Sequence, residues 1–166
     1  VDTVLTRHFE APRLLVVRDG APCWQFCHID DLVSALELAA TDRVSGVLTV
    51  GCDGFLEQAE VERLSGMRHI ELPAALAFGT AERLHRLGLT PAPASELSYV
   101  TYPWVVSAAR LRAAGWRPEY DNVSALQALL GRVSGHQAVA ARRLGRRDAT
   151  IGAAGATVAV IGTAAL

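Results

Sequence analysis

Lysine is absent from the 166 residues, so all 16 basic side chains are arginine. This excludes Schiff-base chemistry, a P-loop lysine and a lysine-dependent proton relay from within the chain. An excess of one charge is missing too. The net charge is −1, and no global field draws in nucleic acid or an acidic partner. Cysteine is sparse: Cys23, Cys27 and Cys52 make neither an even disulfide set nor a four-ligand zinc cluster. Reduced, buried thiols in a cytoplasmic setting are the expectation. Asp2, Arg7, His8 and Glu10 interrupt any apolar run near the start, so no secretory signal is expected there. Ser65 and Ser134 stand in no Gly-x-Ser-x-Gly frame, His69 and His85 are too far apart for a helical ligand pair, and no fixed-period repeat is visible. Neither a catalytic residue nor a metal site is assigned.

What is present is an ordinary globular balance, 51% hydrophobic and 20% charged, which argues against a disordered or collagen-like chain. The length suits one domain with a sizeable core. Because the chain opens on Val1 and stops inside an apolar run, an excerpt of a longer protein is expected.

Short apolar runs alternate with helical periodicity, which predicts a mixed α/β domain. Residues 13–18 read as a strand closed by Asp19-Gly20, and residues 24–29 as a second extended stretch. Asp30 and Asp31 stand where a helix cap belongs, before Leu32, Val33, Leu36, Ala39 and Ala40 at helical spacing. Residues 47–50, between Gly46 and Gly51, predict a compact buried strand. A surface helix over 57–64, a strand over 68–72 and a helix over 74–87 follow, the last with Leu76, Thr80, Leu84 and Leu87 on one face. A short helix capped by Ser107 carries Leu111 inward and stops at Gly115. A final helix over 124–133 buries Leu126, Leu129, Leu130 and Val133.

The segment Trp24-Gln25-Phe26-Cys27-His28-Ile29-Asp30-Asp31 delivers a histidine and two acids directly into a helix. The plain account is that Asp30 or Asp31 satisfies free backbone N–H groups there, worth about 1 kcal/mol. A metal site from His28, Asp30 and Asp31 lacks any further ligand at a recognisable spacing.

This segment resembles the R-D-F-V-H-V-D-D-V-A-x-A stretch of the extended short-chain dehydrogenase/reductase family, the NAD-dependent sugar-nucleotide epimerases and dehydratases. Residues 46–54 look like that family's G-x-Y-N-V-G-x-D-G, and residues 105–118 like its V-x-D-x-S-R-A-R-x-x-L-G-W-x-P. The three matches occur in the family's order and cover roughly residues 3–133. The resemblance implies a small substrate-binding lobe, residues 1–133, whose Rossmann nucleotide-binding half lies elsewhere in the intact protein. NAD or NADP would bind mainly to that half, and no cofactor is expected for this chain alone. Tyr99, Tyr102 and Tyr120 have no lysine four residues on, and no Gly-x-x-Gly-x-x-Gly follows an early strand. By resemblance, Trp24, Gln25 and His28 contact a small polar substrate such as a nucleotide sugar, and Asp30 and Asp31 cap the helix beside it. Trp24 replaces an arginine that commonly meets a pyrophosphate, and an indole carries no charge. It stacks on a sugar or base, or is core. Ser107 stands where the family often has aspartate. A homodimer is compatible with this reading.

After Ser134-Gly135 the composition changes. Residues 134–150 read as a basic linker, with Arg142, Arg143, Arg146 and Arg147 close together. Residues 151–166 carry no charge; as a helix they would span about 24 Å against a hydrocarbon core of about 30 Å. This apolar tail reads as a C-terminal helix anchoring the protein to the inner face of the plasma membrane, or as a buried strand or disordered end. A membrane-tethered, non-catalytic binding or regulatory module is therefore the alternative to the enzyme reading.

Overall fold

In the computed structural model, residues 4–41, 44–90, 92–134, 136–139 and 142–145 are described. The elements are, in order, α1 (Val4–Glu10), β1 (Leu14–Val17), β2 (Cys23–Trp24), α2 (Ile29–Thr41), β3 (Leu56–Glu57), α3 (Gln58–Ser65), β4 (His69–Leu72) and α4 (Ala74–Arg86). A 3₁₀ turn (Ala94–Leu97), α5 (Ser98–Thr101), α6 (Ala109–Ala113), α7 (Asn122–Val133), β5 (His136–Val139) and β6 (Arg142–Gly145) complete the order. The class is mixed α/β, as the alternation of short strands and helices implies. The chain divides into two compact units, each built from separate stretches of sequence.

Among the described residues, the first unit comprises 4–18, 68–90, 92–98, 133–134, 136–139 and 142–145. Its sheet pairs β1 with β4 in parallel, Leu14 opposite His69 and Val17 opposite Leu72. Leu14 and Val17 are almost fully buried, and with Phe9 and Ala77 they supply its apolar interior. α1 was not announced by the sequence, because Arg7, His8 and Glu10 break its apolar pattern, yet His8, Phe9 and Glu10 are all buried. Burial pushes the His8 imidazole down to about 4, since a buried ring disfavours charge. On α4 the buried position is Ala77; Leu76 and Leu87 of the expected face are exposed, and Thr80 and Leu84 are half-buried. Residues 134–150 are not wholly linker, since β5 and β6 pair antiparallel there. The apolar segment 151–166 lies outside the described residues. Among the described residues no helix is long and apolar enough to cross a membrane.

The second unit comprises residues 19–67 and 99–132. Asp19 opens it in the left-handed region, φ 65°, at the turn the Asp-Gly pair predicts. β2 and β3 pair antiparallel, and α3 follows at once, ending at Gly66 with φ 67°, a left-handed cap that glycine accepts without strain. The core cluster is Ala35, Ala108, Leu111 and Trp116, with Leu38, Leu48 and Val50 packed on it.

Several expectations are corrected in this unit. Residues 47–50 are not a buried strand: Val47 is 82% exposed, and no ladder forms there among the described residues. Only Leu48 and Val50 turn to the core, while the Val47 carbonyl accepts from Arg110 Nη1 and the Thr49 hydroxyl donates to the Ser107 carbonyl. On α2 the buried positions are Asp31 and Ala35, with Leu36 and Val33 exposed, because Asp31 turns inward to bond distant backbone. α6 carries Leu111 inward, and Gly115 with φ 101° ends it, as the sequence implies, but its N-cap is Ala108 and not the expected Ser107, whose hydroxyl accepts from Ala109 N–H at 3.4 Å. α7 starts two residues before the expected Ser124. Asp121 and Ser124 form a reciprocal cap, Ser124 N–H on Asp121 Oδ1 at 2.7 Å and Asp121 N–H on Ser124 Oγ at 3.0 Å. Leu126 is fully buried, while Leu129 and Leu130 are half-buried.

Candidate functional site

The three stretches that carry the family resemblance all lie in the second unit, and their side chains join them. Gln25 Nε2 donates to the Cys52 and Val106 carbonyls at 2.6 and 2.9 Å, while Gln25 Oε1 accepts from Val106 N–H at 2.8 Å. One carboxamide therefore links the segment before α2 to residues 46–54 and to residues 105–118. Gln25 acts as an internal bridge, and its polar atoms are engaged by backbone.

Trp24 is buried, 4% exposed, and its indole N–H donates to Gln58 Oε1 at 2.8 Å. Its ring runs nearly parallel to Phe26, centroids 6.4 Å apart. A buried indole with its only N–H so occupied has no donor left for a ligand. Trp116 Nε1 similarly reaches Ser34 Oγ at 2.9 Å and fastens residues 105–118 to α2.

The start of α2 differs from the sequence expectation. The acceptor for the Asp30 N–H is His28 Nδ1, at 3.3 Å, and the His28 carbonyl accepts from Leu32 N–H. His28 thus supplies the cap that Asp30 and Asp31 were expected to provide, and the two acids sit within the first turn, where negative charge suits the helix dipole. Asp31 is only 3% exposed and bonds elsewhere: Oδ1 accepts from Glu119 N–H at 2.8 Å and Oδ2 from Tyr120 N–H at 3.2 Å. A buried carboxylate is tolerated when hydrogen bonds replace its hydration, and here two backbone donors do so.

Asn122 reinforces the same loop. It is 5% exposed, with Oδ1 accepting from Phe26 N–H and Nδ2 donating to the Asp53 carbonyl, both at 2.9 Å. Tyr120 lies flat against His28, ring centroids 3.7 Å apart at 17°. Tyr120 Oη donates to Asp30 Oδ2 at 3.5 Å, and His28 Nδ1 lies 3.4 Å from the same oxygen. The Asp30 side chain is 67% exposed. His28, Asp30 and Tyr120 therefore form one surface group on a fixed backbone. Tyr120 was missed in the sequence, where the only signal was an aromatic set among Glu119, Asp121 and the preceding Pro118.

The three thiols are free, and only Cys52 is buried; Cys27 is exposed and Cys23 half-buried, contrary to the expectation of buried thiols. Burial, then the neighbouring Cys27 and Asp31, pushes the Cys52 thiol up to about 11, and burial followed by Asp31 raises Cys27. Protonated thiols are poor nucleophiles. Among the described residues no group of three His, Cys, Asp or Glu side chains could hold a metal ion.

A nicotinamide dinucleotide needs glycines that let backbone approach its pyrophosphate. In the second unit two glycines have other uses: a Cβ on Gly51 would stand 3.1 Å from Gln25 Cδ, and one on Gly46 3.1 Å from Arg110 Nη2. These residues do not fit such a cradle.

No family model matches the chain, and no solved structure matches it. Curated relatives are an uncharacterized protein of Mycobacterium bovis and uncharacterized proteins of two Mycobacterium tuberculosis strains, each 25% identical over 126 residues. The match covers 75% of this chain and 34% of each relative, so the chain spans about a third of the length of the curated relatives it matches.

Proposed function

We propose that the chain is the substrate-binding part of an NAD(P)-dependent, sugar-nucleotide epimerase- or dehydratase-like oxidoreductase of the extended short-chain dehydrogenase/reductase type. The observation that carries this reading is the convergence of its three motif-like stretches on one carboxamide, Gln25, with Trp116 and Asp31 joining the same segments. On this reading the cofactor and the proton-transfer pair belong to protein outside these residues, and the chain alone is inactive. Its contribution is to bind and orient a small polar substrate through the surface around His28. Trp24 and Gln25 act behind that surface.

The Trp24 position favours a second reading. A buried indole in place of an arginine leaves no cation there for a pyrophosphate, which suits a non-catalytic binding or regulatory module, tethered through residues 151–166. The longer polypeptide that contains this chain separates the two. Incubated with NAD and a panel of sugar nucleotides, it interconverts or dehydrates one of them if the first reading holds, and His28→Ala weakens that turnover chiefly through KM. Absence of any turnover, with the polypeptide folded, favours the module.

A further inference from the structure

We infer that the free edge of β1 is the docking site of a further, parallel strand, supplied by the part of the longer polypeptide that lies outside these 166 residues. The inference concerns the first unit and does not depend on the proposed activity.

The register of the sheet decides which backbone groups are already used. Leu14 N–H donates to the Arg68 carbonyl and Arg18 N–H to the Leu72 carbonyl, both across to the β4 side. Alternate residues of a parallel ladder face the same neighbour, so Leu14, Val16 and Arg18 aim their N–H groups at β4 while Leu15 and Val17 aim theirs away. Among the described residues neither of those two N–H groups meets an acceptor, and neither residue's carbonyl meets a donor. Val17 is nonetheless only 2% exposed, so water does not satisfy its backbone either. Buried backbone groups without partners are rare and costly, which marks this edge as one that is paired in the intact protein.

The two strands carry the residues of two different places in a sheet. β4 exposes His69, Ile70 and Glu71, and Glu71 pairs with Arg18 at 2.9 Å. Charges of that kind suit an outer strand, because they discourage further pairing. β1 is Leu14-Leu15-Val16-Val17, the uninterrupted apolar run of a strand covered on both faces inside a parallel sheet. A sheet of two strands is marginal alone, and parallel sheets are built with helices over both faces.

The occupant follows from direction and length. A second copy related by a two-fold axis would set β1 against β1 antiparallel, whereas the apolar run of β1 is the pattern of parallel pairing. The apolar segment 151–166 is too short to supply both a strand and the helices that cover one. The curated relatives have the length: the match spans 34% of each, so about two thirds of each relative lies outside it. The docking strand is apolar, rich in β-branched residues, and runs in the direction of β1.

Amide hydrogen exchange of the longer polypeptide, followed by nuclear magnetic resonance without cofactor or substrate, tests the inference. With the edge paired, protection of the Leu15 and Val17 amides lies within about tenfold of that of Val16, because all three open only with the sheet. An alternating pattern, with Leu15 and Val17 about a hundredfold or more less protected than Val16, overturns it. Protection of Leu15 and Val17 that falls on dilution from dimer to monomer also overturns it, by placing a second copy on the edge. So does protection lost on removal of residues 151–166, which would place that segment there. Because no substrate is present, failure of the proposed activity leaves this inference standing, and turnover by a polypeptide with an alternating pattern leaves the activity standing.

Discussion

The carboxamide of Gln25 occupies the space a side chain on Gly51 would need, with Cδ, Nε2 and Oε1 all 3.1 to 3.2 Å from the position of a Cβ there. Three hydrogen bonds hold that carboxamide, so it cannot give way as the end of a loose side chain would. Gly51→Ala is therefore expected to destabilise the protein by about 1–3 kcal/mol, in the range for overpacking. In a Gln25→Ala background the same substitution becomes nearly neutral. Urea unfolding of the four proteins of this double-mutant cycle measures the coupling, and additive effects would contradict the contact.

Asp31→Asn tests the buried carboxylate. The amide keeps the shape but turns one acceptor into a donor facing a backbone N–H, Glu119 or Tyr120. A loss of about 1–3 kcal/mol in unfolding free energy is expected. Hydrogen exchange at the Glu119 and Tyr120 amides should accelerate in the variant, and unchanged protection there would contradict the assignment.

Gly46 and Gly66 both have positive φ, 96° and 67°, but their surroundings differ. A Cβ at Gly66 meets nothing within 4 Å, whereas one at Gly46 stands 3.1 Å from Arg110, whose guanidinium holds the Ser45 and Val47 carbonyls. Gly66→Ala is expected to lose about 1 kcal/mol from backbone conformation alone. Gly46→Ala loses more, because Arg110 must also shift. Equal midpoints in urea would show that the Arg110 contact carries no energy.

The buried His8 makes stability depend on pH. Its imidazole lies at about 4 folded and near 6.5 unfolded, so between those values the unfolded chain binds the extra proton. Stability is present in full above 6.5 and falls as pH drops towards 4. From pH 7.5 to pH 5 this single group removes about 2 kcal/mol, by the linkage of 1.36 kcal/mol per pKa unit. Unfolding curves of the wild type and His8→Gln across that range check it. The variant should lack the slope attributable to His8, and parallel profiles would contradict its burial as a neutral ring.

Much of the fold was legible because it rests on local signals. The strand β1 before Asp19-Gly20, the helix α3 before Gly66 and the helix α6 between Ser107 and Gly115 are all set by residues within a few positions of one another. What failed depends on partners far along the chain. Asp31 reads as a helix cap because Glu119, 88 residues on, cannot be seen from its neighbourhood. Once Asp31 turns inward, the buried face of α2 rotates away from Val33 and Leu36. Residues 47–50 look like a buried strand by composition, yet Arg110 and Ser107 take up polar groups that a sheet would have paired. Of the expected site residues, His28 stands at the surface group, while Trp24 and Gln25 form its interior support. Tyr120 was invisible as a member because a stack on His28 has no sequence spacing.

On the proposed reading, these residues form one wall of a site whose cofactor cradle lies in other parts of a longer polypeptide. Calorimetric titration of reduced nicotinamide dinucleotide into the 166-residue chain and into that polypeptide tests it most directly. Saturable heat with the longer polypeptide and none with the chain alone is the predicted result. Saturable binding by the chain alone, or none by the folded longer polypeptide, would contradict it.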